Sequence, residues 1–573
     1  MKSKKYSKIQ LVIIIILILV MVVQELISIK QTSLTADEGC YIGAGRAIFE
    51  TGNMRNNVLV YHPPLSYYIG SIFLLPLKFD KSIWQSNDCW QIGKDVMFHS
   101  GHNPKKILFL SRLPIVFLSI ILAFYVFKWA TELYGAKSGL IALFLYSFNP
   151  SIIAYSSLLL TDFVVAMMFF IAIYYFWKLI REPSKKHLVL TGIFLGLALL
   201  SKITAILLIP IFIILGLIAV YQKKYKINTK MLIKNLIIMI SIAFILIFIF
   251  YGFQFDNLRN SLPVEHYSDK ARSELSKAPI FSKQLVYIYD NIRLPASSYI
   301  GELGNLFYIS SQPKPSYVFG KTTDNVVWYL VYVTFLIKTG IPLLIFLILL
   351  FVLRRKLPKK DLFTASTLWL PIVLLFINFS ITNKFSGVRH ILVVYLFLFI
   401  LTSNVVNLKD NKVKTYNIIT LILLFYYALS TILIAPYYLS YINELGLGPN
   451  NAHKITVGSN IDSGQDLYGL AKYMEKNNIQ KIKLSYFGSV DPKDYNISYE
   501  YLPSPYWFPW VPDYTILLLH ERKEDCSEKK GIIAISVTNL KNVQLVNKTC
   551  FDWLNKYEPI RKIGYSIFVY NIT

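Results

Sequence analysis

Apolar runs of membrane-spanning length, separated by short charged loops, recur along most of the chain. Read as helices, they predict about eleven spans, near 9–29, 107–130, 138–150, 161–180, 187–201, 203–221, 233–252, 326–351, 362–380, 390–406 and 415–435. Two of these are short for a bilayer. After residue 435 the pattern changes. "ITVGSNI" and "KIKLSYFG" read as strands, "QDLYGLAKYMEKNN" as an amphipathic helix, and "GIIAISVTNL" and "GYSIFVYNI" as further strands. The predicted architecture is an α-helical polytopic membrane domain, residues 1–435, followed by an α/β domain, residues 436–573.

Composition agrees. Of 573 residues 54% are hydrophobic and only 16% charged, with mean hydropathy +0.47, which is unlike a soluble domain. The net charge of +26 could suggest nucleic acid, but the basic residues lie in short loops rather than on one contiguous surface. With Lys2, Lys4, Lys5 and Lys8 on the cytoplasmic side, alternation places "REPSKKH", "QKKYKINTK", "RRKLPKK" and "NLKDNKVK" there too, as the positive-inside rule requires. The first run follows a basic head, as in a signal peptide, but it is long and lacks a clear small-residue cleavage site. It therefore reads as an uncleaved first helix.

The same alternation puts residues 30–106, a short turn at 149–161, a loop at about 253–325 and the 138-residue tail on the outer side. Cys40 and Cys89 fall in the first outer loop, and Cys526 and Cys550 in the tail. Two per region suits two disulfides in an oxidising compartment, with unpaired thiols the alternative because sequence does not give connectivity. The Asn-x-Ser/Thr triplets at Asn496, Asn547 and Asn571 permit glycosylation on that side without showing it.

Against this background a few polar residues stand out. Asp37 and Glu38 follow the first span, in "TADEGCYIGAGR", and Asp162 opens another span in "LLLTDFVV". Ionisable groups at membrane depth are costly and usually functional, although aspartate is also a good helix cap. Cations recur on the same outer side. Arg46 and His62 lie in the first loop, Lys202 and Arg389–His390 at span ends, and Lys338 about two turns into its span. Snorkelling accounts equally well for Lys202 and Arg389; an intramembrane lysine such as Lys338 needs an anion or carbonyl partner. Carboxylates beside cations at headgroup level can serve a lipid phosphate as leaving group and a hydroxyl as nucleophile. If the leaving phosphate carries a sugar and departs from the face opposite a single carboxylate base, the anomeric centre inverts; the chemistry allows this reading without compelling it.

These pieces resemble the GT-C membrane glycosyltransferases of the protein O-mannosyltransferase and aminoarabinose transferase type. The resemblance rests on "DEGCYIGAGR", "HPPLSYY", "LLLTD", "GIFLGLALLSK", "LPASSYIGEL", "YLVYVTFLIKTGIP" and "GVRHILVVY", and in the tail on "YYLSYINELGLGPN", "VGSNIDSGQDLYGLAKYM", "KIKLSYFGSVDP" and "IGYSIFVYNI". It implies a polyprenyl-phosphate sugar donor such as a dolichyl phosphate, transfer on the extracytoplasmic side of a cell or endoplasmic reticulum membrane, and a protein, glycan or lipid acceptor. Mannose is one sugar it suggests. It also implies Asp37 as base, with Glu38 and Asp162 as further acidic residues of the site. Arg46, His62, Lys202, Arg389 and His390 become donor-phosphate ligands.

Two departures matter. His62 stands where some relatives carry a lysine, so its charge would depend on pH. Ser463 in "DSGQ" stands where relatives often have tryptophan. Metal use varies in the wider family; Asp37, Glu38 and His62 could gather round a divalent ion, yet no strong ligand spacing appears, and no cofactor is assigned.

A transporter or flippase of lipid-linked sugars is the competing reading, weakened because no internal repeat is evident and the unusual charges cluster at one face. An oligosaccharyltransferase would share the membrane plan, but no WWDYG-like signature occurs in the tail. The tail could bind the acceptor or merely cover the site: Asp462, in "SNIDSGQD", also reads as a helix cap, and Trp507 and Trp510 as interfacial anchors or sugar-stacking residues.

Overall fold

The computed structural model describes residues 7–52, 62–86, 88–261, 265–277, 282–311, 315–323, 325–382, 385–408, 413–505, 525–543 and 545–573, without the side chains of 265–268, 270 and 305–311. Trp507 and Trp510 lie outside these. Seven helices frame the sites described below: α1 (Lys8–Gln31), α2 (Glu38–Thr51), α3 (Pro104–Tyr134), α4 (Thr161–Arg181), α5 (Lys185–Ser201), α6 (Leu392–Ser403) and α7 (Leu467–Lys476). Others are given by their bounds.

Among the described residues eight helices are long and apolar enough to cross a membrane, or ten if each of two bent pairs counts as one span. That is fewer than the eleven expected, for local reasons. α5 has only 17 residues, about 25 Å of helix against a hydrocarbon core of about 30 Å. The run near 138–150 breaks before Pro150, because the residue preceding a proline is pushed out of helical geometry. Asn149 is extended there, and its side chain accepts from Ile152 N to cap a second helix, Pro150–Ser156, bent 64° from the first. The expected short turn at 149–161 thus contains this helix. The run near 326–351 breaks at Thr339–Gly340, and its halves, Leu330–Lys338 and Ile341–Val352, are bent by 109°.

α4 and the 388–407 segment form the interior of the helical layer, whereas α1 and Val413–Ile434 keep much of their apolar surface outward, as lipid-facing helices do. Gly39, Gly43 and Gly93 bring α2 against the short helix Cys89–Lys94, a contact closed by the Cys40–Cys89 disulfide.

The tail holds a five-stranded sheet of β1 (Ile482–Ser485), β2 (Tyr499–Tyr501), β3 (Gly531–Ser536), β4 (Arg561–Ile563) and β5 (Ile567–Ile572), in the order β2-β1-β3-β5-β4. β1 is parallel to β2 and β3; β5 is antiparallel to β3 and β4. α7 and the strands at β1, β3 and β5 match the sequence expectation. "ITVGSNI" does not, since it forms a turn and the short helix Gly458–Asn460, folded against the membrane domain. Cys526 and Cys550 are joined in the second disulfide.

Candidate functional site

Asp37 occupies the N-cap position of α2, but its side chain makes no cap hydrogen bond. It instead accepts from Arg389 Nη1 at 2.8 Å. Asp162 lies in the first turn of α4, 4.0 Å from the same guanidinium and 2.6 Å from Lys202 Nζ. Lys202 terminates α5 in an extended conformation, which turns its ammonium back toward α4. Two carboxylates and two cations from four separate elements therefore meet and balance. They differ in access: the side chain of Asp37 is 37% exposed and that of Asp162 only 4%.

His62 precedes the helix Leu65–Ser71 and packs edge-on to Tyr41, with ring centres 6.1 Å apart. Burial, reinforced by Lys202, pushes its pKa down to about 3, against the opposing pull of Asp162 and Asp37. That shift favours the neutral imidazole. His390 stacks on Phe379 at 5.4 Å and faces Ser386, beside rather than between the charges.

Glu38 and Arg46 belong to different neighbourhoods. Glu38 is fully buried and accepts from Arg112 Nε at 2.8 Å and Nη2 at 2.6 Å, from Thr35 N and Oγ1, and from Leu159 N. Burial alone would raise its pKa, but the Arg112 charge and these donors outweigh that and lower it. Arg112 also donates to Thr32 O and Ser33 O, so this pair clamps the segment that delivers Asp37. Arg46 is buried against Glu50, its guanidinium 5.2 Å from the Phe79 ring centre, with no described contact to Asp37, Asp162, Lys202 or Arg389. Sequence reasoning passed over Arg112; the signal was an arginine inside the apolar run "KILFLSRLPIVF".

The tail completes the site. Ala36 N donates to Ser463 O and Ser33 N to Gln465 O, while Val388 N donates to Asn460 Oδ1. Lys338 lies at the helix break and not two turns inside a span; its Nζ donates to Leu439 O and Asn460 O. Asp462 does not cap α7. It accepts from Thr538 N and Oγ1 and from Gly464 N, holding the loop to the tail domain. Between tail and membrane domain lies a cavity of about 350 Å³, with Asp37 and Arg389 at one side and Ser459, Asn460, Ser463 and Phe487 at the other. No group of three or more histidine, cysteine or acidic side chains is placed to hold a metal among the described residues.

In its class, the membrane region is similar to a known family: residues 106–251, which carry Arg112, Asp162 and Lys202, match the model of the dolichyl-phosphate-mannose-protein mannosyltransferases. The motif resemblance and this match point to the same type of membrane glycosyltransferase. Among solved structures, the chain is similar to ArnT from Cupriavidus metallidurans in the apo state, with 12% identity, 97% of each chain covered and a TM-score of 0.49. The same protein bound to undecaprenyl phosphate gives 12%, 97% of each chain and 0.47. The Archaeoglobus fulgidus oligosaccharyltransferase in the apo form gives 15% identity and 0.47, over 83% of this chain and 59% of that one. No curated protein matches the chain.

Proposed function

We propose that this chain transfers a sugar, mannose first among those to test, from a polyprenyl phosphate to an acceptor hydroxyl on the extracytoplasmic side of its membrane. The observation that carries the reading is the placement of Asp37. It is the accessible carboxylate of a charge-balanced cluster and borders the cavity shared with the tail.

The acceptor enters the cavity, and its hydroxyl oxygen attacks the anomeric carbon while its proton passes to Asp37. The bond from that carbon to the phosphate oxygen breaks on the opposite face, so the product is inverted. The electron pair stays on the phosphate, a stable anion needing no proton. Arg389 and Lys202 supply the positive charge beside it. Asp162 holds both cations in place, and His62 offers a neutral N–H or lone pair.

The test is transfer from dolichyl-phosphate mannose to candidate protein and glycan acceptors in vesicles, comparing wild type with Asp37→Asn. Inverted product from wild type and none from the variant is expected. Equal transfer by both removes Asp37 as base, and movement of the lipid-linked sugar across the membrane without a glycosidic product makes the chain a transporter.

A further inference from the structure

Away from this cluster, the outer ends of α1 and α3 form a second cleft, of about 290 Å³. Lys30 lies in the last turn of α1, and Lys105 and Lys106 in the first turn of α3; all three are exposed and line the cleft. None of their ammonium groups meets a carboxylate among the described residues, and that of Lys105 sits 5.0 Å from the ring centre of Tyr468 on α7. The other wall is apolar, formed by Ile29, Leu108 and Phe109 on the membrane side.

We propose that this cleft binds an anionic phospholipid, with its phosphate among Lys30, Lys105 and Lys106 and its acyl chains along the half-buried Phe109. Three observations converge. Snorkelling lysines each reach water by their own route, whereas these three border one concavity. Lysines at membrane-span ends are accounted for by orientation only on the cytoplasmic side; these sit at the end bearing Asp37, opposite the lysine-rich loops. The cleft also has the polarity of a lipid at its interface, cationic at headgroup level and apolar below. The adjoining cleft contains Glu475 and Asp494, which confines an anion to the lysine end. Tyr468 makes one wall, so a bound lipid ties the tail domain to the bilayer.

The test uses the full chain purified in detergent and titrated with phosphatidylglycerol or phosphatidylcholine, bound lipid being counted by native mass spectrometry. Wild type is expected to retain phosphatidylglycerol in preference. The variant Lys30→Gln/Lys105→Gln/Lys106→Gln should bind it on the order of a hundredfold more weakly, each lysine near an anionic headgroup contributing roughly a factor of five. A control with the same loss of charge, Lys137→Gln/Lys185→Gln/Lys186→Gln, should bind as wild type does. Equal weakening in both variants, or none in the first, overturns the proposal. So does displacement of the lipid by millimolar inorganic phosphate, which would make this a soluble-anion site. An unchanged melting temperature in each variant verifies its fold.

Discussion

Arg389 Nη1 lies 2.8 Å from Asp37 Oδ2, joining residues 352 positions apart in the chain. The same guanidinium is 4.0 Å from Asp162, so one cation is shared between the accessible carboxylate and the buried one. An incoming lipid phosphate can compete for Arg389, and every gain in that contact loosens its hold on Asp37. Under the proposed function, donor binding would then release Asp37 from its ion pair.

Asp37→Asn should lower the turnover number by roughly 10²–10⁴-fold because the proton acceptor is lost, while donor affinity holds or rises because Arg389 no longer pairs with Asp37. Lys202→Met should act on the other side, weakening the binding of polyprenyl phosphate itself. Turnover against donor concentration separates them. Identical kinetic signatures in both variants would sink the division of labour.

The buried Glu38–Arg112 pair makes a stability prediction. Arg112→Met leaves a fully buried carboxylate without its counter-charge and should cost about 3–5 kcal/mol, whereas Glu38→Leu/Arg112→Met together should cost less than either single change. Because the Glu38 pKa in the fold lies below its ordinary 4.5, its contribution is complete above that value and is lost as pH falls through the lowered one. Melting curves from pH 3 to 7 test both statements.

Asp466 predicts the opposite pH dependence. Burial, opposed by donors such as Ser566 and aided by the charge of Asp462, raises its pKa to about 7 from an ordinary 3.8. The native state thus holds a proton that the unfolded chain releases, and stability falls as pH climbs from about 4 to about 7. Asp466→Asn should raise the melting temperature at pH 8 and leave it nearly unchanged at pH 4. A larger gain at the acid end would contradict the assignment.

Gly45 sets how closely α2 approaches the helix that follows His62. A Cβ there would fall 2.2 Å from the backbone carbonyl of Tyr67. Gly45→Ala should therefore cost about 1–3 kcal/mol and shift His62 relative to Asp37. Reduced transfer with an unaltered melting temperature would refute the steric argument.

What could be read in advance follows from what each residue answers to. Asp37, Asp162, Lys202 and Arg389 stood out because charge at the end of an apolar run is conspicuous in one dimension, and the fold brings these four together. Arg46 was equally conspicuous, yet Glu50, one helical turn away, neutralises it locally. Lys338 needed a partner, but nothing in its surroundings in sequence could say that two carbonyls from the tail supply it. The helix at α7 and the strands at β1, β3 and β5 carry their own periodicity. The segment 455–461 has a strand's composition but is bent by contacts with Thr538 and Val388, far off in sequence. Each expected span is found as a helix, but two are bent, and a proline or glycine announces a break without giving its angle.

The hydrogen bonds from Ser33, Leu34 and Ala36 to Gln465, Tyr495 and Ser463 carry an evolutionary cost. A lineage that shed or exchanged its last 138 residues would unmoor the very loop that presents Asp37. Gradual drift of the tail preserves these contacts, whereas wholesale exchange of it as an independent module breaks them at once.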